Sequence, residues 1–128
     1  MKQFGYPKTE HLKSRKAIEI LFTKGKSVGV YPLRMVFVPK TEGETKVGVS
    51  VSKKYFKKAV DRNYYKRVLR ETYRQNKQLL HTQLNQPFDV MLFYQTKDTL
   101  LFEEINQKMI LLFQKFSKNS LENNKLYE

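Results

Sequence analysis

The feature that most constrains this chain is a stretch, from about Ala59 to about His81, whose residues sort onto two sides of one helix. With Arg62 set to zero and about 100° per residue, Arg62, Asn63, Lys66, Arg67, Arg70 and Arg74 fall between roughly 0° and 140°. Tyr64, Tyr65, Val68, Leu69 and Thr72 fall between roughly 200° and 340° on the same wheel. Tyr73 is the exception and lies near the basic arc. An amphipathic helix must bury its apolar side, so the chain needs a second layer for it to pack on. The other side then presents five cations and an amide to whatever lies outside.

The second layer is legible as strands. Tyr31 to Val38 alternates, with Leu33, Met35 and Phe37 on one face and Arg34, Val36 and Val38 on the other. Pro32 marks the beginning or an edge of that strand. Lys46 to Ser52 sets Val47, Val49 and Val51 against Gly48 and Ser50. The polar run Pro39 to Glu44, with Gly43, reads as a hairpin turn between the two. Phe88 to Tyr94 is a third, mostly apolar strand behind the break at Asn85-Gln86-Pro87.

Two further helices frame these elements. Ser14 is placed to cap a helix in which Ile18, Leu21 and Phe22 share a face. Gly25 is expected to end that helix by taking the left-handed conformation. Leu100 to Phe116 is a final helix, with Leu101, Ile105, Met109, Leu112 and Phe116 on one side. Residues up to about 10 read as an extended arm, and the polar tail from Ser117 to 128 as frayed. The 128 residues show no repeat or linker and suit one domain. The class is α+β, an α/β sandwich with a small mixed sheet.

Charge narrows the function. Twenty-five Lys and Arg oppose twelve Asp and Glu, for a net charge of +13, and the isoelectric point is about 9.9. That exceeds what solubility needs and is the electrostatic footprint of a nucleic-acid binder. The charge is also concentrated: Lys53 to Arg74 holds nine basic residues against Asp61 and Glu71. Lys53, Lys54, Lys57 and Lys58 occupy a connector ahead of the helix, with Tyr55 and Phe56 read as core plugs. Arg62–Lys66, Lys66–Arg70 and Arg70–Arg74 are like-charged pairs four residues apart, each costing a few tenths of a kcal/mol; Glu71 beside Arg67 is the only opposing pair. A polyphosphate would relieve that repulsion by releasing its counterions, whereas ordinary solvated faces mix both signs.

Other classes find little support. The chain has no cysteine, hence no disulfide framework and no thiolate metal site. The first eight residues lack the apolar run of a signal peptide, and no stretch approaches the roughly 18 apolar residues of a membrane span. A cytoplasmic protein without membrane partner or self-association is expected. Intrinsic nuclease chemistry needs an acid–base pair or clustered metal ligands. Only His11 and His81 are present, and Glu103 and Glu104 are adjacent on a helix and point apart. No catalytic residue and no protein-held metal is therefore nominated. A general or ribosomal RNA binder, and a DNA binder laying the helix in a major groove, remain as rival readings.

The run Val47-Gly48-Val49-Ser50-Val51-Ser52-Lys53-Lys54, followed by Lys57-Lys58-Ala59-Val60-Asp61-Arg62-Asn63-Tyr64-Tyr65-Lys66-Arg67-Val68-Leu69-Arg70-Glu71, closely resembles the signature of the bacterial ribonuclease P protein component, whose helix carries the RNR motif. The likeness extends in element order from about residue 10 to 116. The resemblance implies an α-β-β-β-α-β-α order with one extra short strand and a left-handed crossover between parallel strands, against the usual right-handed rule. It also implies a protein subunit that binds a catalytic RNA and the 5′ leader of precursor tRNA. The RNA would remove the leader with magnesium ions. Arg62, Asn63, Lys66, Arg67 and Arg70 match the motif and would contact the RNA, extended by Lys53, Lys54, Lys57, Lys58 and Arg74. Ile18 and Phe22 on the first helix, with Val36 and the neighbouring Phe37 on the strand, would line the leader cleft. The chain departs from the pattern at Tyr64 (usually Arg), at the aliphatic Ile18 and Val36 (often aromatic), and at Gln95 (often Arg).

Overall fold

The computed structural model describes residues 10–126 except Gln83 and Asn85, and side chains as far as Ser117. The expected arm over residues 1–9 lies outside the described residues. The elements are α1 (Arg15–Lys24), β1 (Lys26–Val30), β2 (Leu33–Pro39), β3 (Lys46–Val51), α2 (Ala59–His81), β4 (Phe88–Tyr94) and α3 (Phe102–Leu126). Together they form three helices and a four-stranded mixed sheet in the order β1-β2-β4-β3. α3 runs well past Phe116, in place of the frayed tail expected there.

Local chemistry explains the boundaries. Ser14 caps α1, its hydroxyl oxygen accepting from the Ala17 amide at 3.3 Å. Gly25 ends α1, but with φ −72° and ψ 152° it is extended, not left-handed. Its requirement is steric: a Cβ there would sit 2.2 Å from the Leu21 carbonyl oxygen, to which the Gly25 amide donates. The chain then continues directly into β1, the short strand that the residues alone do not reveal. Val28 and Val30 are its only large apolar residues, and Gly29 between them weakens the strand signal.

The expected hairpin between β2 and β3 does not form. β4 lies between them, antiparallel to β2 with Val36 opposite Met91, and parallel to β3 with Val49 opposite Leu92. β4 is apolar on both faces, the composition of a central strand. The 40–45 connection therefore straddles the start of β4 and is tied to it. The Lys40 amide donates to the Pro87 carbonyl at 3.0 Å. The Lys40 ammonium pairs with Asp89 at 2.9 Å, and the Phe88 amide donates to Thr45 Oγ1 at 3.2 Å. Gly43, at φ +84°, takes the left-handed position in this connection.

The sheet has two unequal faces. Under α2 and α3, Val28, Leu33, Met35, Val47, Val51, Val90, Leu92 and Tyr94 meet Leu69, Tyr73, Ile105, Met109, Leu112, Phe113 and Phe116 in the main core. Phe56, from the connector, stacks on Tyr65 at 4.7 Å, and Tyr65 stacks on Tyr94 at 4.6 Å. Burial pushes the Tyr94 phenol up to about 12. The opposite face carries a smaller cluster, in which Leu12, Leu21 and Met91 are joined by Ala17, Ile18, Val36, Val38 and Phe93. Residues 10–12 run beside the outer edge of β3, where the Leu12 amide donates to the Val47 carbonyl at 3.2 Å.

Candidate nucleic-acid interface

α2 places its cations by the winding of its buried ridge. Tyr65, Leu69 and Tyr73 are an i, i+4 row, and such rows drift roughly 40° per step around the axis. A fixed wheel therefore sets Tyr73 beside the cations, although it is fully buried against Phe113 with its hydroxyl on His81 Nε2 at 2.9 Å. The row Arg62, Lys66, Arg70, Arg74 winds in parallel and stays beside the buried ridge along the helix. The other flank meets α3, where the Asn76 amide donates to Asn106 Oδ1 at 2.7 Å. The cationic flank faces the strip beside β3, and Lys77 pairs there with Glu10 at 2.8 Å.

The expected RNA-facing residues are not equivalent. Asn63, Arg67 and Arg70 are exposed, as are Lys53, Lys54, Lys57 and Lys58, while Lys66 is half-buried. Arg62 is a clamp: Nη1 donates to the carbonyls of Phe56 at 2.9 Å and Lys57 at 2.8 Å. It locks the connector onto α2 where Phe56 enters the core, and so positions Lys57 and Lys58. Glu71 pairs with Arg74, not with Arg67. That hydrogen bond holds the Glu71 carboxyl below its ordinary value and engages the Arg74 guanidinium within the helix.

A groove of about 390 Å³ lies between α1 and the sheet on its less covered face. Ile18 and Phe22 line it from α1, Gly48 and Ser50 from β3, and Met91 from β4. Arg70 reaches the groove from α2 around the edge of β3, with Lys13 and His11 at the rim. The basic ridge and the apolar groove are thus one continuous surface joined at Arg70. Val36 belongs to this face, beneath α1. Phe37 does not. It points through the sheet into the main core, edge-on to Phe116 at 4.7 Å, because adjacent strand residues face opposite sides. The aromatic that does lie on this side is Phe93, with its ring centroid 6.0 Å from that of Phe22. Alternation along β4 identifies Phe93 once the strand's orientation is known; Lys13 and His11 carry no sequence signal.

Among the described residues, no group of three His, Cys, Asp or Glu side chains could hold a metal ion. Among the same residues, no helix is long and apolar enough to cross a membrane.

The Ribonuclease P family model matches residues 6–117. The ribonuclease P protein component of Porphyromonas gingivalis is 44% identical over 86 residues, which is 65% of this chain and 63% of that protein's length. The component from Dictyoglomus thermophilum is 28% identical over 88% of this chain and 92% of its own. Among solved structures, the Thermotoga maritima RNase P protein superposes with a TM-score of 0.67 at 26% identity, over 82% of this chain and 96% of that one. The Staphylococcus aureus RNase P protein shares the fold with a TM-score of 0.70 at 22% identity, covering 84% and 94%. A match across nearly all of the described chain, a shared fold and the basic signature helix agree: the chain belongs to the ribonuclease P protein component family.

Proposed function

We propose that this protein is the subunit of a ribonuclease P ribonucleoprotein that grips the catalytic RNA through α2 and guides the 5′ leader of precursor tRNA through the α1 groove. The observation that carries this reading is the continuity of the two surfaces at Arg70. Arg67, Arg70, Lys66 and the connector lysines bind phosphates of the folded RNA, and Asn63 adds a hydrogen-bonding amide. Arg62 acts mainly by holding the connector in place. In the groove, Ile18, Phe22 and Phe93 offer an apolar wall, and Lys13 and Arg70 supply charge for the leader's backbone. An apolar trough with a cationic rim suits single-stranded nucleic acid of many sequences, because base stacking and backbone charge do not depend on base identity.

The chemistry belongs to the RNA in this reading. Magnesium ions would act there, and no cluster of ligands for them exists among the described protein residues. The test is reconstitution with the cognate RNA subunit at low magnesium. The protein should stimulate accurate 5′ cleavage of precursor tRNA, and should leave the same precursor intact when all RNA is removed. Cleavage by the protein alone, or no stimulation, contradicts the reading.

A further inference from the structure

A second concave site lies at the β1–β2 turn, a cavity of about 400 Å³. Its wall carries two cations, Arg34 and Lys115, with Tyr31, Gln95 and the side-chain-free Gly29. Among the described residues, no carboxylate lines it. The Arg34 guanidinium is oriented by donation from Nη1 to Ser27 Oγ at 2.9 Å and from Nε to Gln95 Oε1 at 3.3 Å. Its Nη2 has no acceptor among the described residues. Lys115 reaches from α3 to the β1 edge and donates one hydrogen bond to the Gly29 carbonyl at 2.8 Å. An ammonium has three donors, so two remain for a ligand.

Tyr31 gives the cavity its second character. The residue is 63% exposed, yet its hydroxyl is bonded to Thr96 Oγ1 at 2.8 Å and donates to Asp98 Oδ2 at 3.0 Å. An aromatic ring open to water but fixed at its polar end is a pre-organised stacking surface.

Sheet register connects this cavity to the α1 groove. Ser50 is opposite Phe93, Phe93 opposite Arg34, and Arg34 opposite Gly29. These four residues make one row across one face of the sheet, about 14 Å over three strand spacings. Ser50 lines the groove, Phe93 touches Phe22, and Arg34 and Gly29 line the second cavity.

We propose that the β1–β2 cavity is a second nucleotide site for single-stranded RNA, in which Arg34 and Lys115 hold a phosphate and Tyr31 stacks a base. The proposal rests on the groove being the leader track and extends it: a leader long enough to cross the row over Phe93 ends at this cavity.

The test uses the reconstituted holoenzyme and precursor tRNAs with stepwise longer leaders. Affinity of the unaltered enzyme should rise with leader length and level off once the second cavity is reached. Tyr31→Ala should weaken the longest-leader complex about five- to hundredfold, the loss of one stacked base. Lys115→Gln should lower the salt slope for that substrate by about one. Gly29→Val guards against misfolding of Tyr31→Ala. A Cβ there meets only the Leu33 carbonyl oxygen at 3.6 Å and Arg34 Nη2 at 4.0 Å, valine suits a strand, and its methyl groups would occupy the cavity. Each variant should level off at a shorter leader. If all three keep the unaltered length profile while Phe22→Ala weakens every leader, the second site is wrong and the groove stands. If the unaltered enzyme shows no leader dependence and Phe22→Ala has no effect, the groove reading fails and the proposal with it.

Discussion

The two faces of the sheet are made from the same strands by the same alternation, yet they are finished differently. On one face α2 and α3 close a continuous layer in which Leu69, Tyr73, Ile105, Met109, Leu112, Phe113 and Phe116 are at most 1% exposed. On the other, the ten residues of α1 bury Leu21 but leave Phe22 61% exposed beside an open groove. The two faces divide the labour. Burial is concentrated on the fully covered side, and the other side keeps apolar surface uncovered.

The largest expected effect tests that division directly. Phe113→Ala should cost about 3–5 kcal/mol in urea unfolding, whereas Ile18→Ala, half-buried on the open side, should cost about 1 kcal/mol. Equal losses would show that the two faces contribute alike to stability. Gly25→Ala comes next, at about 1–3 kcal/mol, because its Cβ would collide with the Leu21 carbonyl oxygen and part α1 from β1. A neutral result would mean that this junction relaxes freely.

Arg62 and Arg67 sharpen the contrast within one helix. Arg62→Ala removes two charge-assisted hydrogen bonds to the connector, so it should lower both stability, by about 1–2 kcal/mol, and RNA affinity. Arg67→Ala should lower affinity alone. Identical behaviour of the two would remove the distinction between clamp and contact.

The smallest effect is a pH dependence from the covered side. Burial holds the His81 imidazole below its ordinary 6.5, with Glu10 opposing and Lys77 reinforcing that shift. The unfolded chain then takes up a proton that the folded chain resists, so stability should fall as pH drops from about 7 towards 5. His81→Gln should flatten that part of the profile. An unchanged slope would show that His81 does not carry it.

Much of this is legible in the residues. The bounds of α2 and β4 follow from long periodic runs with clear breaks, and Ser14 and Phe56 act as their chemistry suggests. What is not legible depends on tertiary placement. Tyr73 falls near the basic arc because a fixed wheel gives the whole helix one buried direction, whereas the packed i, i+4 ridge drifts around the axis. The β2–β3 turn reads as a hairpin because nothing local shows that β4 inserts between the two strands. β1 is too short and glycine-weakened to stand out. Proximity to Val36 suggests Phe37 for the cleft, although alternation puts it on the other face. Arg62 joins the phosphate-binding set on sequence because its carbonyl partners arrive only once the connector folds back.

In the proposed function the cationic flank of α2 meets RNA phosphate. The most direct measurement is the affinity for the ribonuclease P RNA as a function of salt, for the unaltered protein and for the Lys66→Ala, Arg67→Ala, Arg70→Ala triple variant. Affinity should fall and the log–log slope should flatten by about one for each phosphate that is no longer neutralised, with the unfolding midpoint little changed. An unaltered slope in a folded variant would show that this flank does not touch the RNA backbone.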